Sequence, residues 1–481
     1  MIRYNIESAG YVSSQEILHS IKGSIDDGEA VLVTGPSGSG KTTLLLTILG
    51  VLNNLLEGWV KGEVELDGIN PLDPRGFTEI PRLAGAVLQD PDKQIAMPTP
   101  LDEVKFLLEN LGYDESKAEE KALNILTRYG LGSKAYHHVE NLSGGEKRRL
   151  TIASALVHDP EYVFLDEPTA SIDPWGIREI TKTIEESRKR GRTIFIIEHK
   201  PRYFMKYSDE IIVFTGKTVV LRKKTCDLGE DDLRRIQELG VDTLPPQITY
   251  RGERFGKTIL KTRNLCIGYK ELILARDIEI TVREGEIVAV VGPNGSGKTT
   301  LLKTLVGALP PIDGEIIFQG EKLKFKKNRV YRGIFYVPQQ PDYLFIEASL
   351  EGEIEALSKK TGVNKEVLIK HIPWYDQLRG RSPYSLSHGQ RRWLSIVIAW
   401  AYRSKIILLD EPTSGLDYRL FNVLKKLILD LSRAGVSFLI STHDPRVVSE
   451  LADRIYYVEK SRVKEYEKEK AVEISEKNAR W

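Results

Sequence analysis

The sequence predicts an α/β protein built from two copies of one domain, each with a mostly parallel sheet at its core. Three observations carry that prediction. The first is an internal repeat: VLVTGPSGSGKTTLL at 31–45 returns as VAVVGPNGSGKTTLL at 288–302, and YVFLDEPTASIDP at 162–174 returns as IILLDEPTSGLDY at 406–418. The second is short runs rich in β-branched residues, 30–33, 162–165 and 193–197, which read as buried parallel strands. They alternate with helical stretches at 41–49 and 147–157. The third is the order strand, glycine loop, helix, which is that of a nucleotide-binding α/β sheet.

The halves agree in their internal spacings. Ser143 to Asp166 and Ser387 to Asp410 are both 23 residues, and Asp166 to His199 and Asp410 to His443 are both 33. A period of about 250 residues is far too long for a solenoid and means a duplicated domain. The boundaries expected are 1–240 for the first domain, 241–256 for a linker, and 257–481 for the second domain with a charged tail. The junction region mixes charges over 221–240, where a short helix is expected, and Pro245 and Pro246 then interrupt any regular element. The tail after Val458 reads as a solvated, loosely packed helix, with a docking element as the alternative.

Composition excludes several classes. Of the 481 residues, 41% are hydrophobic and 28% charged, an ordinary globular mix rather than a disordered or collagen-like one. A formal net charge of +1 gives no overall field that would draw the chain to nucleic acid or anionic lipid. Two cysteines, Cys226 and Cys266, rule out a disulfide framework or a four-ligand zinc or iron–sulfur site, and both read as small packed hydrophobes. The longest apolar runs, 44–56 and 393–402, fall short of the roughly 20 residues that a membrane span needs. A soluble chain is expected, reaching any membrane through a partner.

The chemistry-bearing motifs occur twice. Gly35, Pro36, Ser37, Gly38, Ser39, Gly40, Lys41, Thr42 and Thr43 form one glycine loop, and Gly292, Pro293, Asn294, Gly295, Ser296, Gly297, Lys298, Thr299 and Thr300 the other. Such a loop turns its backbone N–H groups inward around phosphates, which Cβ atoms would obstruct, and the following helix adds the positive end of its dipole. Lys41 and Lys298 are expected to reach the β- and γ-phosphates of a nucleotide, and Thr42 and Thr299 to ligate Mg²⁺. Asp166 and Asp410 end apolar strands and are expected to hold the same ion. Glu167 and Glu411 beside them are candidates to orient or deprotonate the attacking water, and His199 and His443 to contact the γ-phosphate.

LSGGE at 142–146 and LSHGQ at 386–390 precede the Asp-Glu strands, and the whole ordered set resembles the ATP-binding-cassette (ABC) ATPases over nearly the full chain. That resemblance implies two P-loop cassettes, each a mostly parallel sheet core with a helical signature subdomain, packed head to tail as an intramolecular pseudo-dimer. It implies that Ser143, Gly144 and Gly145 contact the ATP held by Lys298, and that Ser387, His388 and Gly389 contact the ATP held by Lys41. It places Gln89 and Gln339 near the metal, and Tyr11 and Tyr269 where the family stacks an aromatic ring on adenine. Ser171 and Asp173, and Ser414 and Asp417, match the segment that crosses the family's dimer.

VLQDPDKQIAMPTPLDEV at 87–104 resembles the ATPases of energy-coupling factor importers and their cobalt and nickel relatives. By that resemblance the chain is the ATP-hydrolysing motor of an importer for a vitamin or metal ion, lying on the cytoplasmic face of the cell membrane. Its partners would be an integral-membrane coupling subunit and a small substrate-binding membrane protein, with no nucleic acid. The alternative is a tandem cassette protein acting on ribosomes; a third class, DNA-repair cassettes, lacks support because no coiled-coil insertion separates the motifs. His388 replaces a glycine of the first signature: either loss of a positive-φ position there makes the two sites unequal, or its side chain points outward and changes nothing.

Overall fold

The computed structural model describes residues 1–12, 15–169, 174–252, 254–269, 272–326, 330–459 and 461–480. The chain divides into two compact units, residues 1–245 with 417–419, and residues 246–416 with 420–481.

In the first unit the apolar run Ala30–Thr34 is wholly buried and forms a central strand. It pairs in parallel with Thr193–Ile197 on one side and Glu210–Thr215 on the other. Tyr162–Asp166 and then Ala84–Val87 extend the sheet in parallel, and Thr218–Lys224 closes its far edge antiparallel. The strands beside Ala30–Thr34 are both reached by later crossovers, so the C-terminal end of that strand is a topological switch point, where open α/β sheets bind ligands. A separate antiparallel sheet of Ile2–Gly10, Leu18–Ile25 and Trp59–Leu66 packs its alternate apolar residues, such as Ile2, Tyr4 and Ile6, into the same core.

The second unit repeats this order. Ile334–Val337, Ile406–Asp410, Ser437–Thr442, Ile287–Val291 and Arg454–Glu459 run parallel, and Arg462–Tyr466 follows antiparallel; here it pairs on with Leu272–Ile278, so the antiparallel strands continue this sheet instead of forming a separate one. Both units also carry a helical lobe, represented by Pro100–Asn110, Glu115–Arg128 and Gly144–Leu156 in the first and by Leu350–Thr361 and His388–Ala401 in the second. The duplicated α/β architecture is therefore as the sequence predicts.

The junction and the tail are more ordered than their composition suggests. The short helix expected in the junction is Glu230–Glu238, where Ile236 is buried, and Thr218–Lys224 before it is a sheet strand whose Val219 packs against the core of the first unit. The stretch after Pro246 is tied to the second unit, where Thr249 donates its N–H to the Ser449 carbonyl at 2.9 Å and Arg251 pairs with buried Asp453 at 3.2 Å. The tail is not loosely packed at its start. After strand Arg462–Tyr466, helix Lys468–Arg480 buries Ala471 beside Ile455 and Tyr457, and the Lys468 ammonium donates to the Thr249 carbonyl at 2.6 Å. Of the cysteines, Cys266 is buried as expected but Cys226 is exposed.

Candidate active sites

Each glycine loop joins the central strand to a helix whose first residue is the motif lysine, Lys41 or Lys298. The residues capping these helices, Gly40 and Gly297, have φ of 98° and 95°, a left-handed region that a Cβ would strain. A Cβ on Gly35 would also lie 2.3 Å from the Phe214 carbonyl oxygen, whereas one on Gly38 or Gly295 would meet nothing within 4 Å. The loops are thus tight where they leave the strand and open on the side a phosphate would occupy. Lys41 Nζ donates to the Gly35 and Pro36 carbonyls, both at 2.9 Å, and Lys298 Nζ to the Gly292 and Pro293 carbonyls at 2.8 and 3.0 Å. Burial, opposed by the Glu167 and Asp166 charges, holds the Lys41 ammonium below its ordinary range.

Sheet register brings the remaining groups of the first site to the same end. Asp166 is level with Ile197, and the Glu167 N–H continues the ladder to the Ile197 carbonyl at 2.9 Å. Thr42 Oγ1 lies 3.3 Å from Asp166 Oδ1. Gln89 Nε2 donates to Glu167 Oε2 at 2.7 Å, and His199 Nε2 lies 2.6 Å from Glu167 Oε1. His199 Nδ1 is 3.1 Å from the Gly35 carbonyl oxygen, so the ring bridges glutamate and loop. Burial, then the adjacent Glu167 charge, push the Asp166 carboxyl up to about 6. Burial would raise Glu167 too, but the His199 and Lys41 charges outweigh it and hold that carboxyl below its usual range. A hydroxyl, a carboxylate and an amide gathered beside the loop are the hard oxygen donors that suit Mg²⁺, so these residues fit that ion.

The second site has the same parts in a different arrangement. Glu411 continues the ladder to the Ser441 carbonyl at 3.0 Å, and His443 Nδ1 lies 3.0 Å from Glu411 Oε2, the opposite ring nitrogen from that used by His199. Lys298 Nζ is 3.8 Å from Glu411 Oε1. Asp410 accepts from the Tyr336 hydroxyl at 3.0 Å and from Ser441 Oγ. Gln339 is exposed. Tyr11 and Tyr269 are 39% and 48% exposed, each with its hydroxyl 3.4 Å from the threonine, Thr43 or Thr300, that follows the motif; their rings lie open beside the loops.

The signature residues start helices. Ser143 caps Gly144–Leu156 in a capping box with Glu146, and Ser387 caps His388–Ala401 in one with Gln390. Gly144 and Gly145 do not have positive φ, and a Cβ on either would meet nothing within 4 Å. The φ-based reason for unequal sites therefore fails: Gly144 and His388 are both ordinary first residues of a helix. His388 instead points its Nε2 to within 3.3 Å of Arg392 Nη2, and desolvation followed by the Arg392 and Arg391 charges hold its imidazole down at about 4. Ser171 and Asp173 lie outside the described residues.

Sequence reasoning missed the groups that join the glutamine segments to the signature helices. Buried Arg148 donates to the Leu88 and Gln89 carbonyls at 2.6 and 2.5 Å, and buried Arg392 to the Pro338 carbonyl at 3.0 Å. The repeat carries that signal, since both arginines stand five residues after the signature serine. Asp92 and Asp342, each after a proline in the glutamine segments, bind Lys147 and Arg391 of the same helices at 2.5 and 2.8 Å. Gln94 also turns inward, bonding the Ala86 carbonyl and Leu88 N–H at 2.8 Å each. Its amide is taken up by the fold rather than offered to a partner.

Two sheets that each end in a lysine-bearing glycine loop, an Asp-Glu pair and a histidine define a duplicated P-loop nucleotide-hydrolase fold. The chain belongs to the ABC transporter family, whose profile matches residues 18–170 and 275–414. A "Putative ABC transporter ATP-binding protein" of Saccharolobus solfataricus is 34% identical over 461 residues, covering 89% of this chain and 86% of its own. A "Putative HMP/thiamine import ATP-binding protein" of Bacillus subtilis is 28% identical over 480 residues, covering 91% and 86%. The solved structure of "RNase-L Inhibitor" matches with a TM-score of 0.63 at 21% identity, over 96% of this chain and 89% of that one. At that identity the likeness is one of fold. The protein is an ABC ATPase with two cassette domains in one chain.

Proposed function

We propose that this ABC ATPase is the motor of an importer for a vitamin or metal ion, working on an integral-membrane coupling subunit and a small substrate-binding membrane protein. The observation that carries the reading is an apolar surface beside the second glutamine segment. Tyr343 is 83% and Ile346 70% exposed, a few residues after Gln339, in a unit whose other large side chains are mostly buried. No helix among the described residues is long and apolar enough to cross a membrane, so the membrane part would be another chain. The import role in the name of the Bacillus subtilis relative supports the same reading.

In this proposal ATP is hydrolysed at two composite sites. Lys41 and Lys298 leave their loop carbonyls for the β- and γ-phosphates, and signature residues 143–145 and 387–389 close over the nucleotide held by the opposite cassette. Glu167 and Glu411, ionised at neutral pH, accept a hydrogen bond from the attacking water and draw off its proton as attack proceeds. His199 and His443 hold those carboxylates and the γ-phosphate in one geometry. Thr42, Asp166 and Gln89, with Thr299, Asp410 and Gln339, would hold Mg²⁺, which when bound neutralises charge between the β- and γ-phosphates. The buried arginines and the Asp92 and Asp342 ion pairs then link a shift at the glutamine segment to the signature helix of the same cassette.

The test is affinity capture of the full chain from gently solubilised membranes. An integral-membrane subunit is expected, and Tyr343→Glu with Ile346→Glu is expected to release it while ATP affinity stays unchanged. Recovery of ribosomes without a membrane protein would contradict the importer reading.

A further inference from the structure

The two sites treat their metal-facing aspartate differently, and the difference lies in residues outside every motif. Asp410 is 2% exposed at the end of strand Ile406–Asp410, and hydroxyls on the strands to either side meet both of its oxygens. Tyr336, on Ile334–Val337, donates to Oδ2 at 3.0 Å, and Ser441, level with Asp410 on Ser437–Thr442, donates to Oδ1. In the first unit the same sheet positions hold Ala86 and Ile197, which have no hydroxyl to give. Asp166 is met there by Thr42, itself expected to bind the ion.

An ionised carboxylate offers about four acceptor positions, so two donors leave two for a cation or its water shell. Donors fixed in flanking strands keep a carboxylate in one rotamer before the ion arrives, and groups that orient a metal ligand in this way are typically worth about 10- to 100-fold in metal affinity. We propose that Tyr336 and Ser441 are positioning residues that preorganise Asp410, so that the second site takes its divalent cation more tightly than the first. The proposal rests on the reading of Asp410 as the carboxylate that faces the metal of bound ATP.

The experiment uses the full chain with Glu167→Gln and Glu411→Gln, which stops turnover, and titrates Mn²⁺ in the presence of ATP by electron paramagnetic resonance. Two classes of site are expected. Tyr336→Phe, which removes one oxygen and keeps the ring, is expected to weaken the tighter class about tenfold, and Ser441→Ala to do likewise. The weaker class, the melting temperature and metal-free ATP affinity should not move. Unchanged Mn²⁺ affinity in both variants would overturn the proposal and leave the ATP sites standing. Loss of metal-free ATP affinity or of melting temperature in step with Mn²⁺ would show general damage and also overturn it. Absence of any ATP-dependent Mn²⁺ binding in the parent would overturn the site reading itself.

Discussion

Glu167 and Glu411 each hold φ at 45°, a left-handed conformation that costs a non-glycine residue about 1–3 kcal/mol. That both copies keep it, with a histidine within 3.0 Å, marks the carboxylate's direction as the reason for the strain. The strand ends Asp166 and Asp410 set where each glutamate begins, and the left-handed turn aims it back toward the glycine loop. Glu167→Gln and Glu411→Gln together are expected to lower turnover about 10²- to 10⁴-fold, the usual loss when a general base is removed, with ATP affinity retained. Steady-state hydrolysis alongside equilibrium ATP binding checks this; turnover near that of the parent would take the role away from the glutamates. These residues were legible because they sit in contiguous motifs at the ends of apolar strands. Tyr336 and Ser441 were not, since only sheet register brings them to Asp410.

Among the elements, the two signature helices show how a repeat can diverge at one atom. Glu146 accepts from the Ser143 N–H at 2.9 Å, where Gln390 offers an amide oxygen to the Ser387 N–H at the same distance. Partial burial would raise the Glu146 carboxyl, but Lys134 and Ser143 outweigh it and bring it from 4.5 to about 2. A carboxyl depressed on folding contributes stability that is present above its unfolded value and lost as pH falls through the folded one. The first cap should therefore weaken between pH about 4.5 and about 2, and the second should not. Acid unfolding followed by signals from each unit is expected to lose part of its pH dependence in the first unit on Glu146→Gln, with no change in the second. An identical acid transition would contradict it. Helix starts of this kind are readable from Ser-x-x-Glu and Ser-x-x-Gln patterns. The start of the tail was misread for the opposite reason. Its charged, sparse apolar pattern looks solvated, yet an isolated residue such as Ala471 finds a core that only the folded sheet supplies.

For the whole molecule, the repeat determined most of the architecture: the order of the six core strands agrees between the two units, although in the second the antiparallel strands join the core sheet instead of standing apart. What the repeat hides is asymmetry, in His388, in the hydroxyls on Asp410 and in the ring nitrogen each histidine turns to its glutamate. The central claim is that one chain carries two complete ATP sites. The most direct measurement is equilibrium binding of Mg²⁺-ATP to the full chain with Glu167→Gln and Glu411→Gln. Two nucleotides per chain are expected, falling to one when either Lys41→Ala or Lys298→Ala is added and to none with both. A single nucleotide per chain in the parent, or two retained after both lysines are replaced, would contradict the account.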